Sequence, residues 1–146
     1  MLAGAATAAG IRRCHSAIDA VSGRMFTGAS HVDVMLDWDR TNSDGSPFFS
    51  LSGIDFRRDT ALLSLTTAPT ATGGCAILVE RISSAPTTCS AVARSDLSGY
   101  RATPLVRAVT VYTNTARPRE TITLVDAPPS CLVLRRQVEF NWPASR

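Results

Sequence analysis

The stretch "HVDVMLDWD", residues 31–39, alternates apolar and polar side chains with a period of two. The apolar members share one face: Val32, Val34, Leu36 and Trp38. The opposite face would carry the remaining side chains: His31, Asp33, Met35, Asp37 and Asp39. Because successive side chains of a strand point to opposite sides, this alternation predicts a half-buried β-strand with an acidic outer face.

The residues before this strand show a helical period. In "IRRCHSAIDAVS", residues 11–22, apolar side chains recur every three or four positions: Ile11, Cys14, Ile18 and Val21. This spacing places them on one stripe of an α-helix, which Gly23 would end. We therefore expect an N-terminal helix that packs its apolar stripe on a sheet.

The rest of the chain is dominated by strand patterns. "FFSLSGIDF" and "TALLSLTT" are separated by a charged turn, and "CAILVERI" follows a flexible connector. "LVRAVTVYT", "RETITLVD" and "CLVLRRQVEF" come later, after an irregular region with one helical turn near residues 91–97. The pattern predicts an α+β fold, a helix on an antiparallel sheet of about five to seven strands. A two-sheet β-sandwich with an appended helix is the alternative.

The chain has four cysteines, at positions 14, 75, 89 and 131. None stands in a C-x-x-C pair, and His15 and His31 lack zinc-finger spacing, so metal binding and thiol redox chemistry are disfavoured. Disulfides remain, and four cysteines allow three connectivities. We expect Cys75 to pair with Cys89, stapling a strand to its return segment, and Cys14 to pair with Cys131, joining the two ends of the domain.

Residues 1–8, "MLAGAATA", are small and apolar, and they include an A-x-A sequence of the kind that signal peptidase cleaves. They are interpreted as the remnant of a signal peptide, with a flexible Ala-rich terminus as the alternative. Residues 9–146 are then one globular domain stapled by disulfides. Disulfides persist in oxidising compartments, so the predicted location is the periplasm or outside the cell. No segment approaches the roughly 18 apolar residues that a membrane span requires.

The net charge is +3, from 15 arginines and 12 acidic residues. This excess gives only weak attraction to polyanions, and the arginine doublets at 12–13, 57–58 and 135–136 are scattered without interleaved aromatics. A nucleic-acid partner is therefore not expected. Arginine without any lysine is typical of a GC-rich bacterial genome rather than of a function.

The chain carries no nucleophile elbow, phosphate loop, dinucleotide fingerprint or zinc helix. Residues 37–45 have the composition of a calcium loop, but Asn42 and Phe48 occupy the positions that need glycine and glutamate. We therefore expect neither metal nor cofactor, and no enzymatic activity. A small hydrolase that uses His31 and the nearby aspartates is kept as an alternative.

The acidic face of the first strand is the candidate binding surface. It would display three carboxylates on a rigid element, with a fourth on the following loop: Asp33, Asp37, Asp39 and Asp44. Such a surface favours a protein partner with a basic cleft. The predicted function is a periplasmic protein-binding domain, an immunity protein or inhibitor that blocks a toxin or hydrolase. An accessory factor of an envelope or secretion assembly is the alternative.

Overall fold

The computed structural model describes residues 1–143, which form three helices and eight strands. The helices are α1 (Leu2–Ala9), α2 (His15–Met25) and α3 (Cys89–Asp96). The strands are β1 (His31–Trp38), β2 (Phe48–Asp55), β3 (Thr60–Pro69), β4 (Cys75–Ala85), β5 (Arg101–Val106), β6 (Val109–Thr113), β7 (Glu120–Ala127) and β8 (Ser130–Trp142). They form one antiparallel sheet in the order β1-β2-β3-β4-β8-β7-β6-β5. The predicted α+β class with an N-terminal helix is confirmed.

The described chain divides into two compact units. The first comprises residues 1–79 together with the C-terminal segment from Val138 onward, and the second comprises residues 80–137. Strands β4 and β8 each contribute residues to both units. Each unit has a hydrophobic cluster of its own. That residues 9–146 behave as one domain stays a prediction.

The apolar stripe predicted for the N-terminal helix is buried in the first unit. Ile11, Cys14, Ile18 and Val21 are all almost inaccessible to solvent. The helix itself, α2, begins later than predicted, at His15, and continues past Gly23 to Met25. Ile11 and Cys14 therefore enter the core from the segment that leads into the helix, because the chain turns just before it.

Residues 1–8 fold as most of helix α1, which the sequence pattern did not predict. Leu2 and Ala6 lie one turn apart, and both are fully buried in the first hydrophobic cluster. The helix ends at Gly10, whose φ of 88° is a left-handed conformation that glycine adopts without strain. That residues 1–8 are cleaved as a signal remnant stays a prediction, but in this structure the segment contributes to the core.

The strands of the first unit place one face against helices α1 and α2. The alternation predicted for β1 is confirmed, since Val32, Val34, Leu36 and Trp38 pack partly buried against the first cluster. On β2 the inward positions are Phe48, Ser50, Ser52 and Ile54. The two serines at the centre of this face are small, which allows a helix to approach the sheet closely.

The predicted count of five to seven strands is wrong, because residues 101–113 form a hairpin. The pattern "LVRAVTVYT" indicated one strand, whereas β5 and β6 are separated by a turn at Arg107 and Ala108. This turn contains no glycine, asparagine or aspartate, which are the residues that mark a tight hairpin in a sequence. The sheet therefore has eight strands among the described residues.

The second unit has a smaller core between α3 and strands β7 and β8. Its buried members are Val92, Leu97, Ile122, Leu124 and Cys131. The helical turn expected near residues 91–97 is confirmed as helix α3. The helix starts after Thr88, whose hydroxyl accepts a hydrogen bond from the backbone N–H of Ala91 at 3.2 Å.

All four cysteines form disulfides, but the predicted connectivity is wrong. The bonds are Cys14–Cys75, with Cα atoms 5.4 Å apart, and Cys89–Cys131, with Cα atoms 4.9 Å apart. The segment after Cys75 is one continuous strand that leads into α3, so no return strand brings Cys89 back beside it. Cys14 and Cys131 belong to different hydrophobic clusters and pair within their own units.

Candidate protein-binding surface

The outer face of β1 is exposed and contains two of the predicted acidic residues. His31, Asp33, Met35 and Asp37 alternate along it, each exposed, while the intervening residues face the core. β1 lies at one end of the sheet order, so strand pairing within the described chain occurs on one side of it only. The carboxylates of Asp33 and Asp37 therefore lie on one face at the sheet edge, with Met35 between them.

The strand register continues this face into an apolar surface. Asp33 lies opposite Gly53, Met35 opposite Leu51, and Asp37 opposite Phe49. On β3, Leu62 follows opposite Gly53. Exposed fractions are 59% for Met35, 48% for Phe49 and 37% for Leu62. We call this surface the β1–β3 patch and define it by four apolar side chains: Met35, Phe49, Leu51 and Leu62.

The middle of β2 differs from an ordinary half-buried strand, although Phe48 and Ile54 at its two ends are buried. Phe49 and Leu51 point outward, whereas Ser50 and Ser52 are buried. Full burial of a large apolar side chain normally stabilises a fold by about 1.5 to 3 kcal/mol, so leaving Phe49 exposed and Leu51 half-buried forgoes part of that gain. Clustered apolar side chains on a surface are typical of an interaction site.

A shallow hollow of 380 Å³ lies at one end of this face. Its floor includes Gly53, which has no side chain, so the neighbouring strands form its walls. The lining residues on the outer face are His31, Asp33, Asp55, Thr60 and Leu62. This lining is mostly polar, with Leu62 as its large apolar member on the outer face, and it differs from the mainly apolar lining of a typical small-molecule site.

His31 and Asp33 form the closest charged pair at this hollow. The His31 Nε2 lies 3.0 Å from the Asp33 Oδ2, and the hydrogen bond raises the pKa of the imidazole above its ordinary value. Their side chains are 65% and 88% exposed, so water screens the interaction. An exposed pair of this kind lacks the water-excluded environment that general acid–base catalysis in a hydrolase exploits.

Asp39 lies outside the strand, which corrects its predicted place on the acidic face. β1 ends at Trp38, and the Asp39 carboxylate turns back onto its own loop. It accepts hydrogen bonds from the backbone N–H of Thr41 at 2.8 Å and from the Thr41 hydroxyl at 2.7 Å. These bonds lower the pKa of Asp39. The side chain therefore stabilises the turn after β1.

Asp44 has a structural contact that the sequence did not indicate. Its Oδ1 accepts hydrogen bonds from the backbone N–H groups of Arg12 and Arg13, at 2.7 and 2.8 Å. These bonds lower the pKa of the Asp44 carboxyl. The loop is therefore tethered to the segment before α2, whereas the sequence indicated only a fourth carboxylate of the candidate binding surface.

The structure thus brings Asp33 and Asp37 together on the outer face and assigns Asp39 and Asp44 to loop contacts. The apolar members of the patch on β2 and β3 were missed from the sequence. A signal was present, because the period of two in "FFSLSGIDF" puts Phe49 and Leu51 opposite the serines. Within residues 1–143 no group of three or more His, Cys, Asp or Glu side chains is arranged to hold a metal ion.

The chain matches no protein-family model, no curated protein and no solved structure. Across the described residues, no helix has both the length and the apolar character of a membrane span. The two disulfides are consistent with an oxidising compartment. Function is therefore inferred from the surface itself.

Proposed function

We propose that this chain is a small exported protein-binding domain and that the β1–β3 patch contacts its partner. The proposal is supported above all by the middle of β2, where Phe49 and Leu51 face outward while Ser50 and Ser52 are buried. An apolar centre with charged residues at its border is the usual composition of a protein interface. Asp33 and Asp37 supply such a border on the β1 side.

The charge of this border indicates the chemistry of the partner. Two exposed carboxylates beside apolar side chains complement a basic cleft or ridge, and such complementarity raises the rate of association. The site residues of the proposal are therefore Asp33 and Asp37, with Asp39 and Asp44 supporting the adjoining loop. No ion or cofactor is needed for a contact of this kind.

Among protein-binding domains, we favour an inhibitor or immunity protein that blocks a toxin or hydrolase in the periplasm or outside the cell. A small disulfide-bonded domain with a rigid acidic and apolar surface suits a protein that occupies a basic active-site cleft. An accessory factor of an envelope or secretion assembly is the alternative, because it would need the same kind of surface.

The test is an affinity capture from the native source with the wild-type chain and two variants in parallel. Met35→Lys places a charge at the centre of the patch, whereas Leu132→Lys changes an exposed leucine of the second unit. A protein retained by the wild type and by Leu132→Lys, and lost with Met35→Lys, supports the proposal. Loss of a captured hydrolase's activity in a 1:1 complex identifies an inhibitor, and co-purification of membrane components identifies an assembly factor.

A further inference from the structure

The two ends of the sheet differ in how their edges are protected. β1 and β5 are the terminal strands, and the outward N–H and C=O groups of an edge strand are open to pairing with another chain. In β5, Pro104 lacks an N–H group and the register shifts between Pro104 and Val106. A proline and a bulge are two common means of blocking an edge.

β1 has neither of these features. Its eight residues pair with β2 in one unbroken register, from His31 opposite Asp55 to Trp38 opposite Phe48. The strand contains no proline or glycine. Its half-buried inner side chains, such as Val34 and Leu36, leave apolar surface at the edge that a further strand would cover. β1 is therefore regular enough to accept a ninth strand.

We propose that β1 binds an extended basic segment of the partner protein by main-chain hydrogen bonding, as a ninth strand of the sheet. This inference rests on the proposed function and names the mode of binding. The unpaired edge provides the hydrogen bonds, and the side chains of β1 determine which segment fits, as in other cases of strand addition.

The side chains of β1 specify the pattern of that segment. Opposite positions in neighbouring strands share a face, so basic side chains would lie opposite Asp33 and Asp37. Apolar side chains would lie opposite Val34 and Leu36 on the inner face and opposite Met35 on the patch. The pattern is basic-apolar-apolar-apolar-basic. It reads the same from both ends and so applies to a parallel or an antiparallel strand.

A second copy of this chain is the alternative occupant, and one of its two-fold registers is opposed by charge. In a two-fold antiparallel pair of β1 strands centred on Met35, Asp33 of each copy would lie opposite Asp37 of the other. Like charges directly opposite each other destabilise a strand pair. Addition of β5 from another copy is opposed by Pro104 and its adjacent bulge.

The probe for this inference is the peptide acetyl-Gly-Ser-Arg-Val-Ile-Val-Arg-Ser-Gly-amide, titrated into the ¹⁵N-labelled wild-type chain and followed by NMR. We expect a Kd of about 1 mM or tighter, with shifted amide signals across residues 31–38 and slowed hydrogen exchange there. A peptide with glutamate in place of both arginines should bind at least about fivefold more weakly, because the cross-strand charges then repel. The Asp33→Ala/Asp37→Ala variant should weaken binding of the arginine peptide similarly.

A third peptide, N-methylated at the Val, Ile and Val residues, keeps the side chains but cannot donate main-chain hydrogen bonds from the centre of the strand. Its binding should be lost. Equal binding of this peptide, shifts confined to other strands, or no binding of the arginine peptide up to about 5 mM would each overturn the strand-addition proposal. Concentration-dependent shifts of residues 31–38 without peptide would overturn it in favour of self-pairing. The capture test with Met35→Lys decides the proposed function independently of these results.

Discussion

The disulfide between Cys14 and Cys75 joins the residue that precedes helix α2 to the first residue of strand β4. Both cysteines are buried members of the first hydrophobic cluster, which also contains Ile18 and Val21. The bond therefore attaches the start of α2 to the sheet at the same place where the helix packs. The bond lies on the side of the sheet that packs against the helices, and the β1–β3 patch lies on the outward face of β1, β2 and β3.

The connectivity of the disulfides can be determined by mass spectrometry of a non-reducing digest. We expect peptides linked through Cys14–Cys75 and through Cys89–Cys131. The cysteines of these two bonds are 61 and 42 residues apart in the sequence. In the chain-entropy account each bond contributes about 4 kcal/mol, so Cys14→Ser/Cys75→Ser should lower the free energy of unfolding by roughly that amount. Peptides linked through Cys75–Cys89 would contradict the structure.

The role of helix α1 can be tested at Leu2, whose side chain is fully buried. Leu2→Ala should reduce the free energy of unfolding by about 2 to 5 kcal/mol, the range for removing a large aliphatic side chain from a core. Ala8→Ser, at an exposed position of the same helix, is the matched control. Chemical denaturation checks both, and a Leu2→Ala cost within about 0.5 kcal/mol would mean that α1 does not belong to the core.

These contacts also explain which features could be predicted from the sequence. Periodicity identified β1 and the buried stripe of α2, because Val32, Val34, Ile18 and Val21 repeat with the spacing of their element. It did not identify helix α1, whose small apolar residues are equally typical of a signal peptide. The hydrogen bonds of Asp44 to the segment before α2 are tertiary contacts across about 30 residues, which no local pattern encodes.

The prediction of the disulfide connectivity was wrong for a similar reason. Sequence proximity favoured Cys75 with Cys89, but pairing depends on which cysteines reach the same core, and that is a property of the folded sheet. Only one part of the candidate surface, which consists of the β1–β3 patch and its acidic border, was evident from the sequence. The acidic residues of β1 were evident from one strand, whereas Phe49 and Leu62 join them only through the register of three strands.

The Asp44 carboxylate should stabilise the fold by an amount that depends on pH. The hydrogen bonds from the backbone N–H groups of Arg13 and Arg12 lower the pKa of Asp44 in the folded chain. The stabilisation that Asp44 provides is therefore fully present above the ordinary carboxyl pKa of 3.8. It is lost as the pH falls through the lower pKa of the folded state. Asp44→Ala should cost about 1 to 2 kcal/mol at neutral pH and less in acid. Urea unfolding at several pH values measures this difference.

Asp19→Ala, at an exposed position of α2, is the control for the Asp44 measurement and should change the free energy of unfolding by less than about 0.5 kcal/mol. An equal effect of the Asp44 and Asp19 substitutions at neutral pH would show that the tether to Arg12 and Arg13 does not stabilise the fold.

Removal of the Ser52 hydroxyl should stabilise the fold. Its Oγ is buried on the inner face of β2 without a hydrogen-bond partner, which is costly for a polar atom. Ser52→Ala should therefore raise the free energy of unfolding by about 1 kcal/mol. Ser50→Ala is the comparison, because its hydroxyl donates to the carbonyl of Leu65 at 3.3 Å and its removal should not stabilise. A loss of stability in Ser52→Ala would contradict this expectation.

We propose that the acidic and apolar surface of β1–β3 binds a basic protein partner, and the salt dependence of that affinity is the most direct test. Kd for the captured partner should be measured by calorimetry at several salt concentrations for the wild type and for Asp33→Ala/Asp37→Ala. We expect the double variant to bind at least about fivefold more weakly at low salt, equivalent to about 1 kcal/mol, and to show a shallower dependence on salt. The same affinity and the same salt dependence in both proteins would contradict the claim.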